Sequence, residues 1–425
     1  MNLHDHSRRA FVVRMSRGAA LAGLALALAA PLTAAARDAN AVVHWNSVAA
    51  EAFAPSQGTN PMAQSRSFAI LHAAMHDALN AIEPRYAPYT PGLPAASGAS
   101  PDAAVAAAAR EVLLQLLPSQ SARVEAAYRQ ALLGLRDDPA RAAGVATGRA
   151  AALATLKRRR DDAADQAAQP AFVPRAGAGE YQFTAPFDFA AQPGWGRVTP
   201  FVVELREHRP EGPLALDSAA YARDLAEVRA IGQATSRTRS TEQTEIARFW
   251  YEDSPLGWNR IANNVLRERR VDAWQAARTF ALLHFAMADG FIAGFEAKYR
   301  HRFWRPLTAI HAAADDGNPQ TTPDATWRPL LDTPPVPDHP STHTVLGWAA
   351  AEVLIAQFGD RVNYELTSLT LPGVTRRYSG FAQAAEENGL SRLYAGIHFR
   401  HAIEQGRHQG RSIGRAVARA LAPLH

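Results

Sequence analysis

The sequence predicts an all-α protein made of two related helical bundles joined by a long irregular segment. Three observations point there. From Ala41 onward, apolar residues recur at helical spacing in stretches dominated by Ala, Leu, Arg and Glu. No run shows the convincing period-two alternation of a half-buried strand. Two stretches also repeat each other: Ser65-Arg66-Ser67-Phe68-Ala69-Ile70-Leu71-His72-Ala73-Ala74-Met75-His76-Asp77 aligns with Ala277-Arg278-Thr279-Phe280-Ala281-Leu282-Leu283-His284-Phe285-Ala286-Met287-Ala288-Asp289. A Trp-Asn pair stands upstream of each copy, Trp45-Asn46 and Trp258-Asn259.

In chain order, residues 1–36 read as a twin-arginine export signal. Ser7-Arg8-Arg9-Ala10-Phe11-Val12 precedes an apolar run from Ala19 to Leu32 and the small-residue site Ala34-Ala35-Ala36, where cleavage is expected. The mature chain is then expected to be periplasmic or secreted, without stable membrane insertion, since no later stretch reads as long and apolar enough to span a bilayer. Residues 37–169 form an N-terminal bundle region, with helices expected at 65–82, 102–117, 119–133 and 140–160. Residues 170–215, rich in Pro, Gly and Phe, are the irregular connector. Residues 216–425 form a C-terminal bundle, with helices expected at 221–231, 241–249, 258–266, 272–299, 341–358 and roughly 391–421.

Composition excludes several classes. Apolar residues are 47% and charged residues 20% of the 425, so a packed core is affordable to the chain and global disorder is not expected. With no cysteine there is no disulfide scaffold, Cys-ligated zinc, iron–sulfur cluster or Cys nucleophile. The first 36 residues carry four arginines against one aspartate, which leaves the remainder at only +2 of the formal +5, and no nucleic-acid footprint. The run Lys157-Arg158-Arg159-Arg160, followed by Asp161-Asp162, reads as a solvated helix end, with a phosphate-binding patch as the alternative. Only two of the 45 cationic residues are lysines, Lys157 and Lys298. High-GC coding explains the bias toward Arg, but a lysine kept at Lys298 points to a need for a compact ammonium.

His72 and His76, four apart, share a helix face as zinc-ligating histidines do. Ala73 stands where a metalloprotease would need its Glu, and Ala288 replaces the second His in the other copy, so helix-packing histidines are expected, with Asp77 and Asp289 bonding within or between helices.

The chemistry is expected from three blocks. Lys298-Tyr-Arg-His-Arg-Phe-Trp-Arg305-Pro306 would put both cations on one helix face, with Pro306 ending the regular structure. Pro337-Asp338-His339-Pro340-Ser341-Thr342-His343-Thr344 leads into an apolar helix, with Ser341 placed as N-cap and free backbone N–H groups that suit an anion. In Ser391-Arg392-Leu393-Tyr394-Ala395-Gly396-Ile397-His398, an unbroken helix would point Arg392 and His398 apart, while a turn at Gly396 could reunite them. Alone, the first block reads as a basic helix end, the second as a capping motif with a bystander His, and the third as an ordinary helix with a surface Arg and a packed His. Together they offer Lys, two Arg, Ser and two His, with no carboxylate expected among the site groups: cations for the equatorial oxygens of a tetrahedral oxyanion, and histidines for its two apices.

These blocks resemble the Lys-x6-Arg-Pro, Pro-Ser-Gly-His and Ser-Arg-x5-His signature of vanadium-dependent haloperoxidases and type 2 phosphatidic acid phosphatases, and the wider resemblance runs from about Trp45 to Gly410. The chain looks most like the soluble, secreted bacterial haloperoxidase-like members. The resemblance implies an all-α fold with two four-helix-bundle-like halves. It implies that Lys298, Arg305 and Arg392 hold oxyanion oxygens, that the Ser341 hydroxyl and the Thr342 backbone N–H donate to them, and that His343 is the acid–base group. His398 would ligate vanadium or, in a phosphatase, attack phosphorus. The activity implied is a vanadate-dependent haloperoxidase using hydrogen peroxide and halide to make hypohalous acid, with Lys298 polarising the bound peroxide. The alternative is an acid phosphatase that takes a phosphomonoester through a phosphohistidine and needs no cofactor. A non-catalytic oxyanion-binding protein is the third reading. Two positions depart from the family pattern: Thr342 replaces the family's Gly, and Ala402 replaces an Asp often found four residues after the last His, so His398 is expected to find another partner, such as a backbone carbonyl.

Overall fold

A computed structural model describes residues 40–56 and 60–424; the export signal expected at 1–36 lies outside the described residues. The described residues belong to one compact unit. Its first five helices are α1 (Ala41–Phe53), α2 (Pro61–Ile82), α3 (Pro101–Leu116), α4 (Ser121–Leu133) and α5 (Pro139–Arg158). After an irregular stretch at 159–218 come α6 (Ala219–Ile231), α7 (Thr241–Phe249), α8 (Ser254–Glu268), α9 (Ala273–His301), α10 (Pro306–His311) and α11 (Thr342–Phe358). A hairpin of β1 (Tyr364–Thr367) and β2 (Thr375–Tyr378) follows, then α12 (Phe381–Tyr394) and α13 (Arg400–Val417). The fold is all-α, as expected.

Local chemistry sets the helix starts. Asn60, Ser100 and Asp138 each accept a backbone N–H from the first turn and are followed by Pro at the first helical position, where a missing N–H costs nothing. α1, capped by Asn40, was not expected, and neither was the antiparallel hairpin, which pairs Tyr364 with Tyr378 and Thr367 with Thr375. Its strands are four residues long, too short to register as alternation. The single helix expected at 391–421 is two. α12 begins at Phe381, and the chain breaks after Tyr394 because Gly396 takes a left-handed φ of 78°.

α9 is buried along nearly its whole length and packs against α2, α11 and α13. It also corrects an expectation: by length and composition it could cross a membrane, but 94% of its apolar window is buried in protein, the mark of a core helix. The basic run is corrected too. Lys157 is exposed, but Arg159 turns inward to Asp162 at 2.8 Å and lies 3.9 Å from the centre of the Phe201 ring.

The two repeated stretches, on α2 and α9, meet face to face. Phe68, His284, His72 and Phe280 stack in that order with centroid separations of 4.6, 4.9 and 4.7 Å. Each imidazole is oriented by the Asn of its own half: His72 Nε2 lies 3.0 Å from Asn46 Oδ1, and His284 Nε2 lies 2.9 Å from Asn259 Oδ1. An amide oxygen only accepts, so both Nε2 atoms carry the proton. Burial drives His72 down to about 3 and His284 well below the ordinary range. His76 Nε2 bonds the Ala87 carbonyl. Asp77 and Asp289 do not bond helices, as had been expected; they gather loop N–H groups, Asp77 from Tyr89 and Thr90, Asp289 from Phe201, Val202 and Val203.

Candidate active site

The candidate site forms where α9 ends, α11 begins and the α12–α13 turn comes between them. Lys298 is in the last turn of α9, which stops at Arg302 in a left-handed conformation. Arg305 therefore lies beyond the helix and not on a shared face with Lys298, and Pro306 starts α10 instead of ending the regular structure. The two cations meet through a loop that both hold. Lys298 Nζ donates to the carbonyls of Pro337 (2.7 Å) and Asp338 (2.9 Å), while Arg305 Nε donates to the carbonyl of Val336 (2.7 Å). With two N–H groups engaged, a lysine ammonium keeps one more for a ligand.

The same loop delivers Ser341 to the start of α11. Ser341 occupies the N-cap position, but its side chain does not cap: the hydroxyl is fully buried and accepts from Thr344 Oγ1 at 2.9 Å, which leaves its own O–H free to donate. Its backbone N–H is tied to the carbonyl of Ala402 at 2.8 Å. The first intrahelical bond of α11 comes from Val345, so the N–H groups of Thr342 and His343 belong to the open helix end. Thr342 packs toward Gly294 of α9, and its own Oγ1 is buried without a hydrogen-bond partner. His343 is half-buried; its Nε2 lies 3.0 Å from the Glu252 carbonyl, so Nε2 carries a proton and Nδ1 keeps the lone pair in the neutral ring.

Arg392 is in the last turn of α12, buried, with Nη1 bonded to the Trp250 carbonyl at 3.2 Å, Nε unpartnered and Tyr251 beneath it at 5.4 Å. The turn at Gly396 brings the Ile397 N–H to the Arg392 carbonyl at 3.1 Å and returns His398 to the cluster. Arg305 Nη1 donates to the Ile397 carbonyl (2.6 Å) and to His398 Nε2 (3.0 Å). All seven expected residues thus fall in one neighbourhood, six of them buried and His343 half-buried, linked by these bonds or by electrostatic reach.

One member was not expected. Asp338, which stands in the second block without an expected role, is fully buried, and its Oδ1 lies 2.9 Å from His398 Nδ1 and 4.0 Å from Arg305 Nη1. The imidazole contact is short but bent from the ideal hydrogen-bond line. The site therefore contains a carboxylate, and the partner of His398 is a side chain and not a backbone carbonyl. The sequence signal was there, an Asp inside the same short block as Ser341 and His343.

Burial holds the Lys298 ammonium well below its ordinary range; Arg305 and Arg392 push the same way, against Asp338. Burial brings Arg392 down to about 10 and also lowers Arg305. His343 and His398 are both held well below the usual imidazole range, chiefly by burial and then by the surrounding cations. Burial raises Asp338 to about 7, opposed by Arg305 and Lys298. Three dry cations facing one carboxylate are short of negative charge, and a small multivalent oxyanion supplies it. The free donors, Arg392 Nε among them, fit a tetrahedral oxyanion, and the His398 Nε2 lone pair fits its central atom.

Comparison with known proteins agrees. The family model of the VCPO second helical-bundle domain matches residues 278–424, which contain all three blocks. The vanadium chloroperoxidase of Curvularia inaequalis is 26% identical over 286 residues, 51% of this chain and 46% of that protein, so the chain spans about half the length of this curated relative. The crystal structure of a bacterial vanadium-dependent iodoperoxidase superposes with a TM-score of 0.78 at 29% identity, covering 90% of this chain and 97% of that one. A bacterial vanadium-dependent chloroperoxidase in its holo form shares the fold, with a TM-score of 0.70 at 17% identity over 84% of this chain and 92% of that one. On fold and sequence together, the chain belongs to the superfamily of vanadium-dependent haloperoxidases and type 2 phosphatidic acid phosphatases.

Proposed function

We propose that this protein is a vanadate-dependent haloperoxidase that oxidises halide with hydrogen peroxide to hypohalous acid, exported to the periplasm or beyond by the twin-arginine route. The observation that carries the reading is the convergence of three buried cations on a neutral His398 whose Nε2 holds a lone pair. Lys298, Arg305 and Arg392 would hold the vanadate oxygens, with the Ser341 hydroxyl and the Thr342 N–H as neutral donors and His398 Nε2 as ligand to the metal. Bound there, vanadate supplies an electrophilic centre that activates hydrogen peroxide toward a halide. The chain does the rest. His343, its Nε2–H fixed on the Glu252 carbonyl, offers Nδ1 to take up and return a proton. The third N–H of Lys298 draws charge toward the oxygen it touches, a task for a compact ammonium. Burial excludes water and strengthens each of these interactions.

A second reading is favoured by one contact. Asp338 behind His398 is the carboxylate–imidazole pair that a nucleophilic histidine needs, so hydrolysis of a phosphomonoester through His398 is the alternative. One reagent separates the two. Protein reconstituted with orthovanadate should brominate a phenol-type indicator when peroxide and bromide are added, whereas a phosphatase should be inhibited by the same vanadate. Measured vanadate binding with no oxidation of chloride, bromide or iodide would remove the haloperoxidase reading.

A further inference from the structure

We infer that Asp338 is the positioning residue of this centre: it fixes the tautomer and ring angle of His398 and takes the place of the carboxylate that Ala402 no longer supplies. The inference rests on the proposed role of His398, but its core is geometric. The two nitrogens of His398 face opposite kinds of partner. Nε2 lies 3.0 Å from a guanidinium N–H, which can only donate, and Nδ1 lies 2.9 Å from a carboxylate oxygen. The Arg305 contact puts the lone pair on Nε2, which leaves the proton on Nδ1, facing the Asp338 carboxylate at 2.9 Å across a bent contact. A ring with one defined lone pair can serve as a ligand or nucleophile without first paying to rotate or exchange its proton.

The rest of Asp338 is arranged to hold that carboxylate still. Its backbone carbonyl accepts from Lys298 Nζ at 2.9 Å, its backbone N–H donates to the Phe303 carbonyl at 2.9 Å, and Arg305 stands 4.0 Å from Oδ1. Asp338 and Ala402 also line one narrow pocket, of only about 10 Å³, together with His339, Phe399 and Asp224. Position 402 therefore adjoins the space that Asp338 serves, which explains how the loss of a carboxylate on α13 can be made good from the α11 side of the site. Among the described residues of the signature blocks, Asp338 is the sole acidic side chain beside the three cations.

Two roles are open to such a carboxylate, and they predict opposite signs. A plain counter-charge would weaken anion binding, so its removal should tighten binding of every oxyanion. A positioning residue should leave purely ionic binding intact and weaken only binding that uses Nε2. The variant is Asp338→Asn. Arg305 and the Phe399 N–H should draw the amide oxygen toward themselves, which turns the amide N–H groups toward Nδ1 and favours the wrong tautomer.

Three measurements on the protein free of vanadate and then titrated decide it. Long-range ¹⁵N–¹H correlation of the histidine-labelled wild type should show His398 protonated at Nδ1. In Asp338→Asn the proton should move wholly or partly to Nε2. Calorimetric titration should show orthovanadate affinity falling about tenfold to a hundredfold, the usual cost of losing such a partner, while inorganic phosphate affinity holds or rises. A wild-type His398 protonated at Nε2 overturns the inference, and this reading stands even if the variant does not fold. It is likewise overturned if a folded variant keeps the wild-type tautomer and vanadate affinity, if both oxyanions bind tighter, or if both weaken alike. A wild type with the expected tautomer that oxidises no halide would sink the haloperoxidase reading and leave the positioning role standing.

Discussion

Gly396→Ala should destabilise the protein by about 2–5 kcal/mol and weaken oxyanion binding as it does so. The figure has two parts. Gly396 has φ 78°, and a left-handed conformation costs a residue with a Cβ roughly 1–2 kcal/mol. An added Cβ would also stand 2.3 Å from the Gly232 carbonyl oxygen, a backbone atom that cannot swing aside, and relieving such overpacking costs about 1–3 kcal/mol. Two controls separate the parts. Gly373 has φ 86° with no atom within 4 Å of an added Cβ, so Gly373→Ala should show the backbone part alone. Gly232 has an ordinary φ of −81°, but its Cβ would stand 2.4 Å from the Gly396 Cα, so Gly232→Ala should show the steric part alone. Urea midpoints of the three variants give the energies, and phosphate titration of each folded variant reads the site. Because Arg392 and His398 flank the turn, Gly396→Ala and Gly232→Ala should bind phosphate more weakly and Gly373→Ala should not. The reasoning fails if Gly396→Ala loses no more stability than Gly373→Ala and binds phosphate normally.

Two other substitutions test the electrostatics. Lys298→Arg keeps the charge but should not keep the function: a guanidinium at a fully enclosed position whose Nζ touches two carbonyls should overpack by about 1–3 kcal/mol, and vanadate titration should show at least about a tenfold loss, equivalent to 1.4 kcal/mol. Wild-type affinity in that variant would mean that any cation serves. His72, brought by burial from 6.5 to about 3, stays neutral in the fold while the unfolded chain takes up a proton, so its contribution to stability falls as pH drops from 6.5 toward 3. His72→Phe should therefore flatten the stability–pH curve across that window by about 1.4 kcal/mol per pH unit. Asp77 and Asp289, raised by burial to about 7 and about 6, act with the opposite sign in both proteins and cancel in the comparison, which urea midpoints at several pH values would make; an unchanged slope would refute a neutral His72.

The candidate site was largely legible because its residues come in short blocks, and within each block the chemistry is carried by residue type. Ser341 at a helix start and His343 in the first turn could be placed from the Ser-led entry into an apolar run, although the Ser341 side chain does not cap. What stayed hidden depended on contacts distant in sequence. The glycine at 396 was visible, but the need for it arises where Gly232 presses against it. The seven-residue spacing suggests one helix face for Lys298 and Arg305, yet the helix expected at 272–299 stops short of Arg305; the loop at Val336 to Asp338, which both residues bond, decides where that arginine goes. Asp338 was passed over for the same reason. Whether a carboxylate in a loop faces a pocket or solvent is set by the direction of the loop, and that direction is held from α9 and from the segment after it. The hairpin at 364–378 was missed because four-residue strands carry too little pattern against a helical background.

The ring stack between α2 and α9 has an evolutionary reading. Phe68 lies on His284 and Phe280 lies on His72, so each contact has its mirror, and the order is palindromic. That reciprocity is what two identical subunits produce across a twofold axis. The seam is what a homodimer would leave behind once its gene was duplicated and the copies fused, with Lys298 and His398 both on the C-terminal side of it. Removing the N-terminal copy as dispensable would reopen a subunit interface, leaving the chain that carries Lys298 and His398 with its deepest surface exposed to water.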